Sequence, residues 1–177
     1  MKIKKIYFFF IILLILTLPF KLISNENEDT LILKKQILDK FRKIPLKILN
    51  LKLCESVQSY RNYEELYNNE IITGEDVYIY YEIEGLYTID YGDYLNYSIS
   101  HDISIYTYNK KLIKTFKNCL NIEKNTEGII VEFPIIQSMR LGDFPEGTYF
   151  LKITLYDKLK NQKAESRIKF KVITGDE

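Results

Sequence analysis

The side chains able to do acid–base or metal chemistry are few, and their spacing decides what they can do. His101 is the single histidine among 177 residues. Imidazole is the usual general base or metal ligand near neutral pH. Zinc or a catalytic triad needs partner residues, and no second histidine supplies one. His101 falls on the apolar side of an alternating stretch, so it reads as a core-edge histidine bonded to backbone. Cys54 and Cys119 have no metal-ligating neighbour at short spacing. Asp90 and Asp93 flank a D-Y-G-D turn. Together with backbone oxygens they can hold Ca²⁺, but no EF-hand spacing surrounds them, and Asp-Gly turns usually serve the backbone. Glu64 and Glu65 form either an ion pair with Arg61 or part of a solvated loop. No phosphate-binding glycine loop, nucleophile elbow or metalloprotease helix is present. The expectation is a protein with no catalytic residue, metal or cofactor, and a hydrolytic enzyme relying on His101 is the weakest reading.

Tyrosine is the unusual residue, with fifteen copies. Tyr78, Tyr80 and Tyr97 lie in alternating stretches, where tyrosine is simply a good strand residue. Tyr60, Tyr63 and Tyr67 cluster in a polar connection, and Tyr87, Tyr91 and Tyr94 crowd a loop. Tyrosine offers a large amphipathic contact area at low entropic cost, so these six form the candidate binding face.

The elements that position these residues are mostly strands. Residues 141–157, LGDFPEGTYFLKITLYD, read as a corner and then a strand. Pro145 fixes its own φ and pushes Phe144 toward extended geometry, and Gly147 admits a φ that other residues resist. Tyr149, Leu151, Ile153 and Leu155 then alternate with polar positions, the mark of a strand with one buried face. The cleanest alternation is 95–107; a helix would scatter its apolar residues around every side. Residues 77–84 place Val77, Ile79, Tyr81 and Ile83 on one face and Tyr78, Tyr80, Glu82 and Glu84 on the other. Further strands are expected over 46–56, 112–117, 129–137 and 166–173, with Pro134 marking an edge or a bulge. Asn109-Lys110-Lys111 is a turn. Residues 57–73 and 118–127 read as connections.

Upstream the pattern changes. Lys2, Lys4 and Lys5 precede an apolar run over 6–20, the layout of a secretory signal. The run is short for a membrane span. Ser24 suits a cleavage site and Leu22 does not, so residues 1–24 are either a cleaved signal peptide or an uncleaved anchor. Residues 25–45 form a polar leader and a short amphipathic helix over 30–43, ended by Pro45. Leu33, Ile37, Leu38, Phe41 and Ile44 form its apolar stripe. That stripe either packs on the main domain or meets a membrane surface or partner. Residues 46–177 are the main domain.

Removing residues 1–24 takes away four of 25 basic side chains and none of 24 acids, leaving a net charge of −3. Such a surface argues against nucleic acid. Export permits a disulfide between Cys54 and Cys119. It would close a long loop and contribute about 4 kcal/mol; the alternative is two buried thiols.

The segment LGDFPEGTYFLKITLYDKLKNQKAESRIKFKV resembles the closing hairpin of bacterial immunoglobulin-like or fibronectin type III-like domains. Pro145, Gly147 and Tyr149 would be its structural corner, with Tyr149 similar to the corner tyrosine of such folds. LKILNLKLCESVQSYRNYEEL and ITGEDVYIYYEIEGL are similar to exported bacterial proteins of unassigned function. The resemblance covers about 46–172. No tryptophan is present, which departs from antibody-type domains. It implies an all-β fold, an antiparallel immunoglobulin-like sandwich of about seven strands, and no catalytic residues.

The expected function is an exported, periplasmic or extracellular non-catalytic module that binds or scaffolds protein in the cell envelope. The alternative is a carbohydrate-binding module using the loop tyrosines. The expected partner is an envelope protein or a glycan, with membrane contact only through an uncleaved N-terminal segment.

Overall fold

The computed structural model describes residues 28–141 and 143–175. The signal or anchor expected over 1–24 lies outside the described residues. The chain forms two compact units that divide at Lys40/Phe41. Helix α1 covers residues 28–41 and ends at that division. Its Leu31, Ile32 and Leu33 are all more than half exposed, so Leu33 does not belong to a buried stripe. No helix among the described residues is long and apolar enough to cross a membrane.

In the unit that follows, the described residues form ten strands: β1 Lys47–Ser59, β2 Asn62–Glu65, β3 Glu70–Ile72, β4 Asp76–Glu84, β5 Ile89–Asp90, β6 Leu95–Thr107, β7 Leu112–Thr126, β8 Glu132–Arg140, β9 Gly147–Asp157 and β10 Gln162–Ile173. Sheet A has the order β2-β1-β4-β8, and sheet B runs β3-β10-β9-β6, with β7 also paired to β6. β7 follows β6 from Leu95 to Tyr106 along one edge. β9 therefore shares the other edge with short β5, which meets only Leu95 and Asn96. The fold is an all-β two-sheet sandwich.

The two sheets hide one core. Leu53, Ile79, Tyr81, Ile83 and Ile135 come from sheet A; Ile99, Ile103, Ile105, Leu151, Ile153, Leu155, Phe170 and Val172 come from sheet B. These are the period-two positions of their strands. Fully burying such a side chain is worth roughly 1.5–3 kcal/mol. Pro134 lies in β8, the strand at the edge of sheet A beside β4, where a proline is tolerated.

Three expectations are corrected. Residues 57–73 are not one connection: β1 continues to Ser59, turns into β2, and reaches β3 through a 3-10 turn at Tyr67–Asn69. Residues 118–127 are mostly strand, because β7 runs on past a bulge opposite His101 and Ile103. The sandwich is not wholly antiparallel, since β3 lies parallel to β10. Each missed piece is polar because it sits at a sheet edge, where burial leaves no alternation to read.

Two glycines are required by backbone geometry. Gly147 has φ +152 at the corner, and the Tyr149 hydroxyl donates to the Pro145 carbonyl at 2.7 Å. Gly85 has φ +74, and a Cβ there would lie 2.3 Å from the Pro45 carbonyl oxygen. Left-handed strain and a backbone clash therefore add. Gly85→Ala is expected to destabilise the protein by about 2 kcal/mol or more, read by denaturant melting. An unchanged midpoint would contradict this close approach.

Candidate functional site

The outer face of sheet A carries the most organised polar cluster. Tyr78, Tyr80, Glu82 and Glu84 point outward from β4, opposite the core residues of the same strand. Tyr80 and Glu82 nevertheless have no exposed surface. The β1–β2 turn covers them. Arg61 sits in that turn at φ +56, an uncommon conformation for a residue with a Cβ. From there its guanidinium lies on Glu82: Nε donates to Oε1 and Nη2 to Oε2, both at 3.0 Å. The Tyr80 hydroxyl donates to Glu82 Oε1 at 2.7 Å, and Asn50 Nδ2 to Oε2 at 2.9 Å. Asn50 reaches it from a bulge in β1, at φ 52.

One carboxylate thus accepts four hydrogen bonds. The Arg61 hydrogen bonds lead the effects that hold Glu82 below the usual carboxylate range. Tyr80 is pushed up to about 12, first by burial and then by its bond to Glu82. The cluster is a strut, and what it supports is aromatic. The Tyr63 ring packs on Tyr80 at 4.6 Å. Arg61 also donates to Glu132 at 3.0 Å, and its Cζ lies 4.8 Å from the Tyr60 ring centroid. The Tyr60 hydroxyl donates to the same Glu132. Tyr60 remains 43% exposed above this base. Arg61 therefore pairs with Glu82 and Glu132 rather than Glu64 or Glu65; Glu65 accepts from Lys52 at 2.9 Å.

The six candidate tyrosines divide among several places. Tyr60 and Tyr63 share the sheet A surface. Tyr67 stands on the 3-10 turn, 80% exposed. Tyr87 lies beneath Arg42 and Lys160, 5.4 and 5.8 Å from its ring centroid, and its N–H donates to Asp157. Tyr91 and Tyr94 pack together at 5.2 Å between β5 and β6. In that turn Asp90 accepts from the Gly92 amide at 2.9 Å, a backbone role. Among the described residues no group of three or more His, Cys, Asp or Glu is placed to hold a metal ion.

His101 is fully buried, and its partners are side chains rather than backbone. With the Gln137 carbonyl oxygen accepting from Nε2 at 2.7 Å, Nδ1 accepts from the Tyr81 hydroxyl at 2.5 Å. Burial outweighs the Gln137 bond and lowers the His101 pKa, so the ring stays neutral. Tyr81 comes from sheet A and His101 from sheet B, so this pair ties the layers together.

Of the two alternatives for Cys54 and Cys119, the structure has the unbridged one; both thiols are free. Leu53 points into the core, so its neighbour Cys54 faces the other side of sheet A, while Cys119 packs against the core from β7 in sheet B. Burial raises the Cys54 thiol to about 11.

The fold and this cluster define a two-sheet β-sandwich with a buttressed tyrosine–arginine surface. No protein-family model matches the chain, and no curated protein sequence matches it. Among solved structures it is similar to the Pseudomonas fluorescens alkylpurine DNA glycosylase AlkC bound to DNA containing an abasic site analogue. Identity there is 13% and the TM-score 0.45, covering 75% of this chain and 31% of that one. For Spo0M, the sporulation control protein of Bacillus subtilis, the values are 13%, 0.46, 75% and 51%. For the C-terminal domain of wzt they are 13%, 0.44, 74% and 75%. The chain spans about a third of the first of these and half of the second. At these scores the likenesses bear on neither activity nor partner.

Two outcomes test these assignments. Arg61→Ala leaves the Glu82 carboxylate without its main donor and should lower Tm at pH 7 by roughly 5 °C or more. The folded Glu82 pKa is depressed, so its contribution is present above the unfolded pKa and is lost as pH falls. The gap between wild type and variant should therefore close toward pH 3. His101→Ala should cost about 2–4 kcal/mol, combining a cavity with an orphaned tyrosine hydroxyl. The wild type should also lose stability as pH falls below about 6.5, where the unfolded histidine protonates first. The alanine variant should lack that part of the decline, as measured by chemical denaturation across pH.

Proposed function

We propose that this chain is an exported, immunoglobulin-like, non-catalytic module that captures a protein partner in the cell envelope through Tyr60, Arg61 and Tyr63. The observation that carries the reading is the buttressed Tyr60–Arg61 turn on buried Glu82. Tyrosine and arginine are the residue types that dominate protein interface energetics, and rigid side chains lose little entropy on binding. Arg61 here is both held and half-exposed, its side chain keeping 52% of its surface.

Strand order supports the immunoglobulin-like part. β1, β4 and β8 follow the order of strands A, B and E; β10, β9 and β6, with β7 beyond, follow G, F, C and C′. The Tyr149 hydroxyl reaching back four residues to Pro145 is the geometry of a tyrosine corner at the start of strand F. The N-terminal basic and apolar residues support export.

A photo-crosslinking amino acid placed at position 60, with position 67 as the comparison, tests the proposal in cells. Position 60 is expected to give a discrete protein adduct at much higher yield than position 67. Equal yields, or no adduct from position 60 of a normally expressed chain, would remove the reading.

A further inference from the structure

Several cations elsewhere on this domain sit beside carboxylates: Lys47 with Glu84 at 3.0 Å, Arg140 with Asp76 at 3.0 Å, and Lys171 with Glu70 at 3.2 Å. One end of the outer face of sheet B differs. Tyr106, Phe150 and Lys169 form one row across β6, β9 and β10, and Ser104, Lys152 and Arg167 form the next. Here three of the cations lie over aromatic rings. Lys152 Nζ lies 5.8 Å from the Tyr106 centroid, Arg167 Cζ 5.8 Å from Phe150, and Lys169 Nζ 5.8 Å from Tyr108. Tyr108 and Phe150 are nearly parallel, 17° apart with centroids at 6.3 Å. Tyr106, Lys110, Phe150, Lys152 and Arg167 line a depression of about 220 Å³. Glu165 lies beside it, 3.5 Å from Lys152 and shared with Lys163. An aromatic ring positions a cation without cancelling its charge. The result is a concentration of positive charge on a protein that is nearly neutral as a whole.

We propose that this face binds an acidic polysaccharide, its carboxylates on Lys110, Lys152, Arg167 and Lys169 and a sugar ring against Tyr108 and Phe150. A polyuronate supplies spaced carboxylates together with the apolar faces of its sugar rings, matching cations interleaved with aromatics. A bilayer is a poorer fit, because Tyr106 and Phe150 are half sunk in the sheet and only Tyr108, 62% exposed, stands out for insertion. Single-stranded nucleic acid would want a longer basic groove along its backbone. Preference for a polysaccharide over nucleic acid also rests on the export reading; the site itself is independent of the Tyr60 surface.

The test measures binding of the full chain to polygalacturonate by calorimetry at low salt, with dextran and an oligothymidylate as comparison ligands. Polygalacturonate should bind, dextran should not, and added salt should weaken the complex. The Lys152→Glu/Arg167→Glu pair should weaken binding at least about tenfold. Lys110→Glu/Lys169→Glu should do the same if the first pair folds poorly. Lys117→Glu/Lys124→Glu makes the same charge change on β7 and should leave affinity within about twofold. No binding of polygalacturonate, equal losses in the β7 pair, or tighter binding of oligothymidylate would each overturn the proposal. Loss of protein capture at Tyr60 would leave it standing.

Discussion

A carboxylate with no exposed surface on the outward side of a sheet is the constraint from which the rest of sheet A follows. Glu82 cannot remain ionised there without compensation, because taking the charge out of water is costly. Arg61, Tyr80 and Asn50 supply it. Each partner in turn constrains the chain. Arg61 must adopt a positive φ in the β1–β2 turn, Asn50 must sit at a bulge, and Tyr80 must lie under the hairpin. Satisfying one charge therefore fixes the hairpin's entry angle and places Tyr60 and Tyr63 on the surface. Such a network specifies a geometry more than it adds stability.

The interior repeats that logic with a neutral pair. Most of the core is aliphatic and would tolerate small shifts of one sheet over the other. The Tyr81–His101 hydrogen bond does not, since a displaced sheet leaves two buried polar groups unpaired. Asp157 plays a comparable part at the end of β9. It accepts from the amides of Tyr87, Leu159 and Lys160, joining the β9–β10 turn to the segment before β5. Polar groups inside this sandwich thus sit where layers or loops must be held in register.

Much of the fold was legible because burial on one face writes itself into every second residue. Residues 95–107 and 149–155 declared β6 and β9, and the alternation in β4 assigned Glu82 and Tyr80 to the outer face. Their burial was not legible, because periodicity reports which face a residue takes and not what later covers it. The alternation separates Cys54 from the core residue Leu53, but Cys119 lay in a stretch read as a connection, so the sequence left the bridge open. β2, β3 and the second half of β7 left little trace, since edge strands hold few buried side chains. The six tyrosines looked like two clusters in the sequence, and β2 and the 3-10 turn broke up the first by sending Tyr67 elsewhere. The cation–aromatic rows on sheet B were hidden for another reason: Tyr106, Phe150 and Lys169 come from three strands and meet only through register.

The central claim is that Arg61 and Glu82 act as one unit that fixes the hairpin. A double-mutant cycle of Arg61→Ala and Glu82→Gln, read by chemical denaturation at pH 7, tests it most directly. If the two depend on each other, the double variant is no less stable than Arg61→Ala alone, because removing the charge relieves the carboxylate that has lost its donor. Losses that simply add would mean the two residues contribute independently, and the hairpin would owe its position to something other than Glu82.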